Sequence, residues 1–157
     1  MKRTVIAACS AAVLLAAAGC GSSDEATKTD SDSRPSGKPL SEKWQPKIQA
    51  AKDKAPTSVC ENVGSTECAD YLSGIVIAVY RLRDELDDGA KDRYPRTVKR
   101  IKKIDRASTD YTKHECKGDP NAGMEGSPCP KHVADIVAGS SALLMEMGMD
   151  EAKASAG

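Results

Sequence analysis

Apolar residues recur along most of the chain in steps of three and four. The clearest run is Cys68, Leu72, Ile75, Val79, Leu82 and Leu86. Alternating steps of four and three keep one face of a helix turned towards its neighbours. The spacing predicts a long helix opening at Ser65, an N-cap residue, and closing at Gly89, which suits the position just past a helix end. From Leu72 to Tyr80 apolar residues run nearly all round, so this helix is expected at the centre of the fold. Ile75-Val76-Ile77 favour a strand by propensity, but the longer periodic stretch outweighs three residues.

Three further segments share the period. Trp44, Ile48 and Ala51 predict a short first helix capped by Ser41 and closed by Pro56. Tyr94, Val98, Ile101, Ile104 or Asp105, Ser108 and Tyr111 predict a third, with Pro95 in its first turn and Lys117-Gly118-Asp119-Pro120 at its end. After a loop to about Ser127, Pro130 opens a fourth, whose face is Val133, Ile136, Val137, Ser140, Leu143, Leu144 and Met147. The small run Ala138-Gly139-Ser140-Ser141-Ala142 predicts close helix approach. Neither paired short strands nor an internal repeat occurs. The fold class that follows is all-α: a small antiparallel bundle of three to four helices over residues 41–157.

Charge refines this picture. Asp84, Glu85, Asp87 and Asp88 crowd the end of the second helix, and Arg93, Arg96, Lys99, Arg100, Lys102 and Lys103 crowd the start of the third. Each group opposes its own helix dipole. A hairpin turning near residue 91 would bring the two groups face to face, setting residue i against roughly residue 184 minus i. The basic residues between 93 and 106 are expected to form a solvated, ion-paired face. The competing expectation is a stripe of Arg96, Arg100, Lys103 and Ala107 against anionic lipid or wall polymer.

The N-terminus has a different composition. Lys2 and Arg3 precede an apolar stretch, Val5 to Ala18, interrupted only by Ser10. It is shorter than the roughly 20 residues a permanent span requires, and fits a secretory signal peptide. Leu15-Ala16-Ala17-Ala18-Gly19-Cys20 resembles the lipobox of bacterial lipoprotein precursors, with Ala17 where Leu is most usual. The resemblance covers residues 1–20 alone. It implies cleavage between Gly19 and Cys20, acylation of Cys20 (a diacylglyceryl group, palmitate-like chains) and attachment to the extracytoplasmic face of the cell membrane. Two or three acyl chains anchor firmly where one is marginal. Residues 21–39 hold Ala26 as their only strongly apolar residue and are expected to be a disordered tether, reaching about 25 Å. The expected domains are thus a signal peptide over 1–19, a lipidated Cys20 with its tether over 20–40, and a helical domain over 41–157.

The chain holds 23 basic and 23 acidic residues. Removing residues 1–19 takes away Lys2 and Arg3 and no acid, which leaves a slight acidic excess. Nucleic acid is therefore not an expected partner. One Trp, four Tyr and no Phe leave little for a stacking platform.

With Cys9 in the leader and Cys20 as anchor, Cys60, Cys68, Cys116 and Cys129 remain, an even number in an oxidising compartment, and predict two disulfides. The favoured pairing is local, Cys60–Cys68 and Cys116–Cys129. The rival is Cys68–Cys116 with Cys60–Cys129, which the hairpin register allows. The only two histidines flank the second pair, His114-Glu115-Cys116 and Cys129-Pro130-Lys131-His132. These four side chains are the ligand types of a tetrahedral zinc site, so a metal-binding loop is the alternative function; the favoured expectation has no metal and no cofactor.

Nucleophile elbow, zincin, phosphate-loop and dinucleotide motifs are all missing. Asp119 to Pro130 lacks the glycine position and final Glu of a calcium loop. The expectation is not an enzyme but a binding or scaffolding module of the cell envelope. Its partner would be an unidentified envelope protein or polymer; a role as accessory to a secreted enzyme would use the 117–129 loop. An exposed patch of Met145, Met147 and Met149 would favour a protein partner.

Overall fold

Four α-helices follow one another in the predicted order in the computed structural model, which describes residues 38–87 and 90–156. They are α1 (Leu40–Lys52), α2 (Thr66–Asp87), α3 (Pro95–Lys113) and α4 (Cys129–Ala156). Short 3-10 turns at Thr57–Cys60 and Lys91–Arg93 were not expected. The leader, Cys20, most of the tether, Asp88 and Gly89 lie outside the described residues. Among those described there is no strand.

Consecutive helices run antiparallel. Tyr80 on α2 donates its hydroxyl hydrogen to Asp105 of α3 at 2.6 Å, so residue i of α2 faces residue 185 minus i of α3. Lys43 and the Trp44 indole N–H of α1 both reach Glu85 of α2, at 2.7 and 3.0 Å. Arg100 of α3 meets Glu146 of α4 at 2.6 Å. The most extensive packing is between α3 and α4.

All six residues of the α2 seam are buried, and so is a matching seam on α4: Cys129, Val133, Ile136, Ser140, Leu143, Met147 and Asp150. Ser65 caps α2 as expected, accepting from the Cys68 N–H at 3.1 Å. The small run on α4 does bring helices close. A Cβ at Gly139 would lie 2.9 Å from Ile104 Cγ1, so glycine admits α3 there.

Several expectations need correcting. Ser41 lies inside the first turn of α1, behind Pro39, and does not cap it. Its N–H donates to Glu151 on α4 at 2.7 Å, and its hydroxyl donates to the same carboxylate. The buried face of α3 is Thr97, Ile101, Ile104, Ala107 and Tyr111, rotated from the predicted one. Thr97 can be buried because Asp150 accepts from both its N–H and its hydroxyl, each at 2.9 Å. Thus Asp150 and Glu151, on the last turns of α4, close the N-termini of α3 and α1. An acid placed badly for its own helix is placed well for a neighbour running the other way.

Among the described residues, the charge groups at the α2–α3 turn do not pair as the hairpin suggested. Glu85 turns to α1, where the Lys43 ammonium holds its carboxyl below the usual range. Arg100 turns to α4, and Ala107 is core rather than part of a basic stripe. Met147 is fully buried, while Met145 and Met149 are exposed. The centre of α2 is also less enclosed than expected, since Ile77 stays 51% exposed.

Candidate functional site

The predicted cysteines and histidines gather at one end of the bundle. Cys60–Cys68 and Cys116–Cys129 are both formed, which is the local pairing. The first ties the segment before α2 to its first turn; the second closes the loop between α3 and α4. The two loops also hold each other. Gly118 N–H donates to Gly64 O at 2.7 Å, and Tyr111 hydroxyl donates to Val63 O at 2.8 Å. Gly64 has to be glycine there, because a Cβ would sit 2.2 Å from the Asp119 carbonyl oxygen.

α3 stops at Lys113, earlier than expected, and Glu115 takes the left-handed conformation at φ 52. That reversal turns the chain so that Cys116 enters the core while His114 stays at the rim. His132, one turn into α4, then meets His114, with Nδ1 of His114 2.9 Å from Nε2 of His132. The ring planes lie within 5° and the centroids are 5.0 Å apart. Face-to-face stacking would hold the planes about 3.5 Å apart. A nitrogen separation shorter than that places the rings edge to edge in one plane, with one N–H donating to the other ring's lone pair.

The structure thus joins the four residues of the zinc alternative in two pairs, the histidines in contact with each other and the two sulfurs in a disulfide, where neither offers a thiolate. Among the described residues no group of three or more His, Cys, Asp or Glu is arranged to hold a metal.

Burial lowers the pKa of His132 below the ordinary 6.5, and His114 adds to the effect. Asp110 and Asp135 oppose the shift; Lys131 reinforces it. A depressed folded-state value means that the unfolded chain takes up its proton first as pH falls. The domain should therefore lose stability as pH drops below about 6.5. Urea unfolding between pH 5 and pH 8 reads this, and His132→Gln should flatten the slope.

Beside this end lies a cleft of about 700 Å³ between α2 and α3. Leu72, Val76 and Ile77 form one wall, Tyr111 the other, and Ile136 of α4 the floor. The register sets Ser73 against Thr112 and Ser108 against Ile77, so a small side chain stands on at least one side of each facing pair. Two of their hydroxyls bond back to their own helices. Ser73 Oγ donates to Ala69 O at 2.8 Å, and Thr112 Oγ1 to Ser108 O at 3.2 Å. Glu115 and Lys117 stand at the mouth. Sequence reasoning missed this cleft; the signal was the pair of small residues at facing positions of the hairpin. Its size suits an apolar side chain cluster or a small amphiphile.

Comparison of the chain with protein-family models, with curated proteins and with solved structures gives no match.

Proposed function

We propose that the chain is a bacterial lipoprotein, held by acylated Cys20 on the extracytoplasmic face of the cell membrane, whose helical domain binds an envelope partner and does no catalysis. The observation that carries the binding role is the α2–α3 cleft, where Leu72, Val76, Ile77 and Tyr111 stand beside the hydroxyls of Ser73, Ser108 and Thr112, with an acid and a base, Glu115 and Lys117, in the lining. Such a site fixes a partner by taking in an apolar group while the rim sets its orientation. The address rests on Leu15 to Cys20. Two disulfides agree with an oxidising compartment.

A photo-crosslinking residue at Thr112, on the cleft, tests the binding role in intact cells. One discrete adduct is expected, with none from the same residue at Lys102, which is exposed on α3 away from the cleft. Equal labelling from both positions would contradict the assignment. Cell fractionation tests the address: the native chain should sediment with membranes and Cys20→Ser should not.

A further inference from the structure

One seam of α2 points away from its own bundle. Asp70, Gly74, Ile77 and Arg81 follow each other in steps of four, three and four, the same rhythm as the buried seam. Asp70, Ile77 and Arg81 are exposed. Ile77 stands as a ridge between two hollows, the cleft towards α3 and a second one of about 570 Å³ towards α1, lined in part by Ala50, Gly74 and Ala78.

Gly74 has no internal explanation. Glycine inside a helix costs about 1 kcal/mol relative to alanine. Gly139, inside α4, meets that cost because a Cβ would strike Ile104. A Cβ at Gly74 would meet nothing within 4 Å. The space kept open there faces outwards, beside the exposed apolar ridge.

The seam is also self-complementary. Read forwards it runs acid, small, large, base; read backwards it runs base, large, small, acid. Two copies crossing antiparallel about a two-fold axis between residues 75 and 76 set Asp70 of each opposite Arg81 of the other. The same axis sets Ile77 of each over Gly74 of the other. A parallel arrangement would place acid on acid, base on base and ridge on ridge. Shape and charge therefore select one occupant in one orientation.

We infer that the outward seam of α2 is a contact between two copies of this chain, in which Ile77 of one enters the hollow at Gly74 of the other and two Asp70–Arg81 pairs flank them. Two features compete with it. Lys117 lies 3.7 Å from Asp70 in the same chain, a long contact between exposed groups that a closer Arg81 would replace. Lys47 and Lys54 share the hollow with Gly74 and Arg81, so an entering Ile77 meets a basic rim, whose exposed charges water screens. The contact does not depend on the cleft having a ligand, and labelling at Thr112 and self-association can fail separately.

Native mass spectrometry of the full chain, expressed in a bacterium and released from membranes in a non-ionic detergent, counts the copies. A dimer is expected at concentrations of about 10–100 μM. Asp70→Arg and Arg81→Asp, each of which turns both pairs repulsive, should weaken it about tenfold. The double reversal should bring it back to within about threefold of the native chain. Gly74→Leu should abolish the dimer while leaving the melting temperature of the monomer unchanged or higher, since leucine is the better helix former and has room. A monomer at every concentration overturns the inference. So does a dimer indifferent to the single reversals, or a double reversal as weak as either single one.

Discussion

Replacing Asp150 by alanine is expected to lower the stability of the domain by about 3 kcal/mol, or about 10 °C in melting temperature. The carboxylate is only 2% exposed and receives both the N–H and the hydroxyl of Thr97. Its loss would orphan a helix-terminal N–H inside the protein. Thr97→Val removes one donor and should cost less, about 1–2 kcal/mol. Because the two side chains meet, the double variant should fall short of the summed effects by more than about 0.5 kcal/mol. Urea unfolding of the four proteins gives the cycle; strict additivity would mean that Asp150 acts through something other than Thr97.

The second large effect concerns the staple at the other end. Converting Cys116 and Cys129 together to alanine should cost about 3 kcal/mol, because the bond closes a chain segment with a sequence separation of 13. The cost should spread into the neighbouring loop. Gly118, carried on the 116–129 loop, donates to Gly64, so amide exchange at Gly118 should speed up more than at Leu143 in the core. A loss under about 1 kcal/mol would show that the loop is already ordered by its own hydrogen bonds.

Much of this fold could be read from spacing. The α2 seam is buried at every expected position, the hairpin register is 185 against an expected 184, and the cysteines pair with their sequence neighbours. These features are local, or depend on one pair of consecutive helices. What could not be read depends on a third helix. The hairpin argument gave the acids of α2 and the bases of α3 only each other as partners, whereas Glu85 and Arg100 each had another neighbour to choose. Asp150 carried a signal that a helix-by-helix reading of dipoles passes over. It continues the seam of Ser140, Leu143 and Met147 in steps of three, four and three, and a carboxylate on a core seam requires a buried donor. The cleft was hidden for the opposite reason: it is defined by missing volume, and Ser73, Ser108 and Thr112 look like ordinary surface residues until the register sets Ser73 against Thr112 and Ser108 against Ile77.

The intact mass of the chain extracted from membranes decides most directly whether this is an anchored, stapled binding module. The predicted species starts at Cys20, carries the added mass of a diacylglyceryl group with or without a further acyl chain, and lacks two hydrogens for each of the two disulfides. A chain that retains residues 1–19, or one that starts at Cys20 or elsewhere without lipid, would contradict it.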